Sequence, residues 1–168
     1  MDTFFEQLVK IKKTGSDIAA YVAIWILAIM ILTAVMMIFF NGLFAFILCG
    51  VFYGAFWLSS KLNVEYEYII TNGILDIDRI TNKSSRTRVI SIDLANVTQM
   101  EKCSPQKMKG YNRREVLIAC NSDDQNIYYL VANKNTKGVA KMVFAPNDKL
   151  QSAIEKFAPK HITNSLFK

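Results

Sequence analysis

Histidine, cysteine and proline are scarce in this sequence, which has one histidine, three cysteines and three prolines among 168 residues. His161 has no cysteine or histidine neighbour at the spacing of a metal site. Cys49, Cys103 and Cys120 include no Cys-x-x-Cys pair, and an odd number cannot complete a disulfide framework. Phosphate-binding glycine loops and the Gly-x-Ser-x-Gly nucleophile motif do not occur in the sequence. We therefore predict a protein that is not an enzyme and that binds no metal or cofactor.

Charged residues are missing from residues 18–60, which run for 43 positions without Asp, Glu, Lys, Arg or His. An apolar stretch of about 18 residues is enough for one transmembrane helix. We therefore predict a transmembrane hairpin of two helices, 18–40 and 43–60, with a turn at Asn41-Gly42. A buried hairpin of a soluble protein and a secretory signal peptide are the alternatives. The length of the stretch and its second apolar half favour two spans.

Lysines flank this stretch on both sides and predict its orientation. Lys10, Lys12 and Lys13 precede it, and Lys61 follows it. Positive flanks favour the cytoplasmic side, so both termini are expected in the cytoplasm and the protein in the cell membrane, with more than one span. The net charge of +6 belongs to residues 61–168, because the first 60 residues hold three lysines and three acidic residues.

The N-terminal segment, residues 1–17, carries Phe4, Phe5, Leu8 and Val9 at helical spacing, with lysines after them. This spacing predicts a short amphipathic helix. The helix could lie in the membrane interface, pack on the cytoplasmic domain or extend the first span inward. Periodicity does not choose among these partners.

After Lys61, apolar and polar residues alternate, which predicts β-strands with one buried face. We expect about seven strands over residues 61–158, followed by an amphipathic helix that begins near Asn147 and stops at Pro159. Residues 159–168 are expected to form a C-terminal tail. The predicted fold class is α+β, with a two-helix hairpin followed by an antiparallel barrel capped by the C-terminal helix.

Three stretches of the sequence, VEYEYIITNGILDIDRI, NKSSRTR and VFAPNDKLQSAI, resemble a family of small bacterial membrane proteins. In that family two spans precede a domain that is similar to the pleckstrin-homology (PH) domain, a bent antiparallel barrel plugged by a C-terminal helix. The resemblance covers nearly the whole chain and implies this topology and fold. It implies no activity and no functional residues, because none is established for the family.

Basic loops of the predicted cytoplasmic domain are the candidate binding surface. One group lies in and beside a hairpin turn and the other lines a loop over residues 103–114; together they are Lys83, Arg86, Arg88, Lys107, Lys109, Arg113 and Arg114. Each Lys or Arg near an anionic leaflet contributes about 1 kcal/mol to membrane binding. The surface would bind anionic lipid headgroups or a protein partner, and solvated loops are the alternative. The membrane tether and the scattered acidic residues argue against nucleic acid.

Two acidic residues, Asp76 and Asp78, share one face of a predicted strand and could touch a cation. Carboxylates at alternate positions are also the ordinary pattern of an exposed strand face. The exposed face is the favoured interpretation.

Small residues recur four apart in the second apolar segment, as Gly50 and Gly54 and as Ala55 and Ser59. This spacing permits close contact between helices. The contact could lie within the hairpin, with a second copy of the chain or with another membrane protein. The intramolecular contact is favoured, because the hairpin needs an interface.

These features together predict a non-enzymatic integral membrane protein that presents a basic PH-like domain at the cytoplasmic face. The domain would bind a protein partner, anionic lipid or both, and anchoring would raise its effective concentration there. The alternative is an accessory or regulatory subunit of a larger membrane complex, such as a transporter, assembled through its transmembrane helices.

Overall fold

The computed structural model describes residues 4–38, 44–133, 138–163 and 166, with the backbone alone at Ile38 and Lys109. The strands in these ranges are β1 Phe4–Lys10, β2 Val64–Thr71, β3 Ile74–Thr81, β4 Ser85–Asp93, β5 Val97–Lys102, β6 Leu117–Ile118, β7 Tyr128–Asn133 and β8 Val139–Phe144. The helices are α1 Gly15–Ile38, α2 Phe44–Ser60, α3 Pro105–Gly110, α4 Asp148–Phe157 and α5 Lys160–Thr163. The protein therefore mixes helices and sheets, with an apolar helix near its N-terminus.

The chain divides into two compact units. A sheet unit comprises Met1–Ile11, Glu65–Ile80 and Arg86–Lys168, and a helical unit comprises Lys12–Val64 and Thr81–Ser85. The strand β1 thus belongs with strands that follow the apolar helices, and α1 and α2 are inserted between two strands of one sheet. The domain predicted over residues 61–158 therefore leaves out β1, a strand of its own sheet that precedes the apolar helices.

Two four-stranded sheets form the sheet unit, in the orders β1-β2-β3-β4 and β5-β7-β8-β6. β1 runs antiparallel to β2, and the two-residue strand β6 runs parallel to β8. The sheets do not close, which corrects the prediction of a barrel of about seven strands. The chain passes from β4 to β5 through a 3₁₀ turn, Leu94–Asn96, and these two strands are not neighbours in either sheet.

Residues 4–10 form a strand, so the amphipathic helix predicted for the N-terminal segment is wrong. Phe5, Gln7 and Val9 are covered at alternate positions, whereas Leu8 is exposed. Helices of this length are marginal in water. Pairing with β2 satisfies the backbone donors and acceptors along the strand. The period-two pattern therefore prevails over the helical spacing.

The main core contains side chains from both sheets and from α4 and α5. Its largest fully buried members include Tyr68, Ile70, Leu75, Ile77, Ile92, Leu130, Met142, Phe144, Leu150 and Ile154. The helix α4 begins as predicted at Asn147, whose side chain accepts a hydrogen bond from the Leu150 N–H at 2.9 Å. Residues 159–168, predicted as a tail, include α5, and Ile162 and Leu166 join the core.

The helical unit contains α1 and α2, which pack against each other. A capping box begins α1, because the Thr14 N–H and hydroxyl both donate to the Asp17 carboxylate, at 2.9 and 2.7 Å. The rings of Trp25 and Phe52 join the two helices, with centroids 6.0 Å apart.

One helix of the described chain, α1, is long and apolar enough to cross a membrane. Its segment Gly15–Met37 has a mean hydropathy of 2.6, and only 6% of its most apolar window is buried. The helix α2 is apolar but shorter, at 17 residues. The turn predicted at Asn41-Gly42 lies outside the described residues.

Candidate functional site

Two of the predicted basic residues, Arg86 and Arg88 on β4, are paired with carboxylates of β3, the neighbouring strand, and of β2, the next strand in the sheet. Arg86 contacts Glu67 and lies 3.7 Å from Asp78. The Arg88 Nε donates to Asp78 Oδ1 at 3.0 Å, and its Nη1 lies 3.0 Å from Asp76 Oδ2. The hydrogen bond to Asp78 and the charge of Asp76 raise the pKa of Arg88.

The carboxylates of this network are buried, whereas the arginines are half-exposed. The side chains of Glu67 and Asp78 are 5% and 4% exposed, and those of Arg86 and Arg88 are 53% and 54% exposed. The favoured interpretation of Asp76 and Asp78 as an exposed strand face is therefore wrong. A buried carboxylate without a partner lowers the stability of a protein, so the two arginines stabilise the sheet by neutralising these carboxylates.

The long basic loop predicted over residues 103–114 contains the short helix α3. The Ser104 side chain accepts a hydrogen bond from the Lys107 N–H, and Pro105 occupies the first turn. A serine cap followed by proline is a common helix start, so this signal was present in the sequence.

The cations of the α3 loop differ from those on β4. Lys107, Arg113 and Arg114 are exposed. In the part of the chain that the structure describes, they form no ion pair. The side chain of Lys109 lies outside the described residues. Among the described side chains, the predicted basic surface is therefore divided into two arginines bound to internal carboxylates and four exposed cations, Lys83, Lys107, Arg113 and Arg114.

Tyr66, near the start of β2, has a pKa that two arginine charges affect. Burial raises the pKa of Tyr66, and the charges of Arg79 and Arg113 lower it in part. Tyr66 on β2 lies opposite the C-terminal end of β1. The Asn121 side chain donates to the carbonyl of Lys10, the last residue of β1, at 3.0 Å.

Lys83 lies in the turn between β3 and β4, which belongs to the helical unit. Asn82 and Lys83 have left-handed φ values of 52° and 55°, as tight hairpin turns require. The Asn82 N–H donates to the Asn63 carbonyl at 2.9 Å, just after α2 ends. The Lys61 nitrogen lies 3.4 Å from the ring centroid of Trp57. Two cations of the helical unit thus lie at the end of α2.

The small residues of α2 have two different environments. Ala55 and Ser59 are buried. A Cβ added at Gly50 or Gly54 would meet no atom of the described residues within 4 Å. Gly50 and Gly54 therefore face open space among the described residues and do not make the close intramolecular contact that their spacing predicts.

A second, smaller core holds both cysteines of the sheet unit. Cys103, Met108 and Cys120 are buried in it. The Cys120 Sγ lies 3.9 Å from the Met108 Sδ. Burial and, to a smaller extent, the charges of Asp124 and Cys103 raise the pKa of Cys120 to about 12. Within the described ranges, no three side chains of His, Cys, Asp or Glu are grouped as metal ligands.

The arrangement of the sheet unit, two mainly antiparallel sheets with α4 against their core, is that expected of a PH-like domain. A family model described as a bacterial PH-like domain (DUF6106) matches residues 1–164. The chain belongs to this family. The match includes β1 and both apolar helices, so this PH-like protein has one N-terminal helix that could span a membrane. No curated protein and no solved structure matches the chain.

Sequence reasoning missed Gln7, which joins β1 of this PH-like protein to α4. Its Nε2 donates to the Ala145 carbonyl at 2.9 Å, and its Oε1 accepts from the Asn147 N–H at 2.8 Å. Sequence reasoning also missed Tyr68, whose hydroxyl donates to the Ala119 carbonyl at 2.6 Å. The alternate positions of Phe5, Gln7 and Val9 are the sequence signal that could have revealed Gln7 as part of a strand.

Proposed function

We propose that this PH-like protein is a non-enzymatic, membrane-anchored module whose α3 loop binds anionic phospholipid headgroups at the cytoplasmic face of the cell membrane. The insertion of α1 and α2 between β1 and β2 is the observation that carries the proposal. Lys10 lies opposite Glu65, so the chain leaves the sheet and returns to it at one end. With α1 and α2 in the membrane, β1 and β2 would both be tethered to it, and the tether would raise the effective concentration of the domain at the lipid surface. Weak contacts with lipid headgroups would then be sufficient for binding.

The proposal takes both apolar helices as membrane spans. Large apolar side chains are exposed on each of them, including Leu27 and Met30 on α1 and Phe46 and Phe56 on α2. Such contiguous apolar surface does not remain in water. The helix α2 is about 26 Å long at 1.5 Å per residue, near the lower limit for a hydrocarbon core of about 30 Å.

Two spans with lysines at both flanks would keep both termini in the cytoplasm. A membrane-impermeant maleimide tests this orientation with Ser84→Cys, in the turn that lies beside the end of α2. We expect no labelling in intact cells and full labelling in inverted vesicles. Labelling from outside the cell would contradict the orientation.

The α3 loop supplies the charge for lipid binding. Lys107, Arg113 and Arg114 are exposed and have no carboxylate partner among the described residues. At about 1 kcal/mol each near an anionic leaflet, they would contribute about 3 kcal/mol. Arg86 and Arg88 already neutralise buried carboxylates, so a smaller part of their charge is available to lipid.

Hydrogen exchange of the full chain in lipid nanodiscs tests lipid binding. We expect the peptide over residues 104–116 to exchange more slowly in nanodiscs with anionic lipid than in neutral ones, and high salt should remove the difference. A variant with Lys107, Arg113 and Arg114 changed to Gln should lose the lipid dependence. The matched control, Arg86→Gln with Arg88→Gln, should keep it while the sheet itself is destabilised. Equal exchange in both lipid compositions would refute the proposal.

A second function, assembly with another membrane protein through α2, is favoured by the open face of Gly50 and Gly54. Substituting both with Leu should leave the thermal midpoint nearly unchanged, because an added Cβ meets nothing within the described chain. The same variant should lose partners recovered by cross-linking in intact membranes, including a second copy of the chain. As a control, Ala55→Leu should destabilise the helical unit, because Ala55 is buried. Unchanged cross-linking in the glycine variant would exclude this assembly.

A further inference from the structure

The end of α2 carries two cations that the proposed lipid-binding loop does not include. Lys61 follows the last residue of α2, and Lys83 lies in the turn between β3 and β4. Both residues are exposed, and neither forms an ion pair among the described residues. The helical unit holds four lysines but one acidic residue, Asp17, whose carboxylate accepts from Thr14 at the start of α1. The end of α2 is therefore positively charged.

The backbones of these two lysines are joined by a hydrogen bond. The Asn82 N–H, next to Lys83, donates at 2.9 Å to the carbonyl of Asn63, two residues after Lys61. The Cα atoms of the two lysines are therefore at most about 17 Å apart. Two extended lysine side chains cover about 12 Å of such a distance, and a phosphate that accepts from both ammonium groups covers up to about 8 Å. One phosphate group can therefore bind both lysines.

The carbonyl end of a helix disfavours an anion, but the last carbonyls of α2 already accept hydrogen bonds. The three N–H groups that follow the helix donate at 3.3, 3.2 and 3.1 Å to the carbonyls of Leu58, Ser59 and Ser60. The hydroxyls of Ser59 and Ser60 donate to the two carbonyls before these, at 3.0 and 2.8 Å. The ammonium group of Lys61 is therefore not required to cap the helix and is available to an external anion.

Trp57 connects this charge to the apolar surface of α2. The Lys61 Nζ lies 3.4 Å from the centroid of the Trp57 ring, and Trp57 is 50% exposed. Tryptophan is enriched at the level of the headgroups in membrane proteins. An ammonium group has three donors, so a contact with the ring leaves protons for an anion. Tyr53 and Leu58, on the adjoining turns, are also exposed, so the acyl chains of a bound lipid have apolar side chains to contact.

We propose that Lys61, Lys83 and Trp57 form a binding site for one anionic phospholipid. The two ammonium groups bind the lipid phosphate, and the acyl chains lie against the exposed apolar side chains of α2. Two cations without a carboxylate favour a headgroup with a net negative charge over a zwitterionic one. The inference rests on the membrane spans of the proposed function, and it adds a lipid contact that does not use the α3 loop.

The fluorescence of Trp57 in the full chain, reconstituted into vesicles, tests this site. The sequence has two tryptophans, so Trp25→Phe leaves Trp57 as the reporter and keeps a ring beside Phe52. The vesicles contain phosphatidylglycerol and phosphatidylcholine in equal amounts, and one of the two is brominated near the headgroup end of its acyl chains. Bromine quenches tryptophan on contact, so quenching reports which lipid lies beside Trp57. We expect phosphatidylglycerol to associate at least about fivefold more strongly than phosphatidylcholine.

Lys61→Gln with Lys83→Gln should remove this preference, because each lysine contributes about fivefold to the association of an anionic lipid. Both residues are exposed, so the double variant should fold. The matched control is Lys149→Gln with Lys156→Gln, which removes the same charge from exposed positions of α4 and should keep the preference.

The variant that lacks the three exposed cations of the α3 loop should also keep the preference at Trp57. Its loss in that variant would assign the preference to the α3 loop and overturn this proposal. Equal quenching by the two lipids in the Trp25→Phe chain, or an unchanged preference without Lys61 and Lys83, would overturn it as well. Relief of the quenching by soluble glycerol phosphate would indicate a site for a free phosphate and not for a lipid. Quenching by neither lipid would refute the membrane spans themselves, and with them the proposed function.

Discussion

Gln7→Ala should loosen the sheet unit, although Gln7 precedes the apolar helices in the sequence. The Gln7 side chain donates to the Ala145 carbonyl and accepts from the Asn147 N–H, at 2.9 and 2.8 Å. A hydrogen bond of this kind contributes about 0.5–1.5 kcal/mol net, so the loss of both should cost about 1–3 kcal/mol. The cost arises because Ala145 is buried and its carbonyl loses the Gln7 donor.

Hydrogen exchange of the full chain in micelles measures this loss locally. A cost of about 1–3 kcal/mol corresponds to about 5- to 150-fold faster exchange where local opening limits the rate. We expect the acceleration in β2, which pairs with β1, and at the start of α4. Exchange in α1 should not change. Glu6→Ala is the matched control, because Glu6 is exposed on the same strand and should leave these amides unaffected.

The result that would refute this reasoning is equal exchange in Gln7→Ala, Glu6→Ala and wild type. It would mean that β1 does not stabilise the sheet that it joins. A chain that began at residue 61 and showed full protection of β2 would lead to the same conclusion. In that case α1 and α2 would be an N-terminal anchor and not an insertion within the sheet.

Three further predictions concern the sheet unit. Replacing residues 11–64 with an Asn-Gly turn that joins Lys10 to Glu65 should give a soluble, folded domain, because these two residues already pair. Circular dichroism and gel filtration check this, and an insoluble product would contradict it. Tyr68→Phe should lower the free energy of unfolding by about 1–3 kcal/mol, because a buried carbonyl loses its donor; thermal melts with Tyr66→Phe as control measure the loss. The third prediction is that the free energy of unfolding falls above pH 9. The Cys120 thiol stays protonated in the folded chain up to pH about 12 but ionises near pH 9 in the unfolded chain, which should cost about 2–3 kcal/mol by pH 11. In Cys120→Ala the thermal midpoint should fall less steeply with pH than in wild type, and an identical slope would contradict the prediction.

Local patterns were sufficient for much of the PH-like unit. The alternation of residues in β2 and β3, the Asn147 cap and the apolar stripe of α4 depend on near neighbours in the chain, so a single sequence carries them. The absence of charge from residues 18–60 depends on composition alone and predicted apolar helices where α1 and α2 lie. The basic residues could also be identified from the sequence, but the carboxylates that pair with Arg86 and Arg88 could not.

Pairing between distant segments determined the rest. Seven residues with mixed periodicity became β1 because the edge of β2 offered backbone partners far along the chain. Arg86 and Arg88 became structural because the sheet places buried carboxylates beside them, and no local pattern encodes that. Sequence alone thus determined the apolar helices, most strands and the helix caps, since these arise from short-range propensity and solvent preference. Only the tertiary structure decided where the helices are inserted and which cations face solvent, because both depend on the free energy of contacts between residues far apart in the sequence.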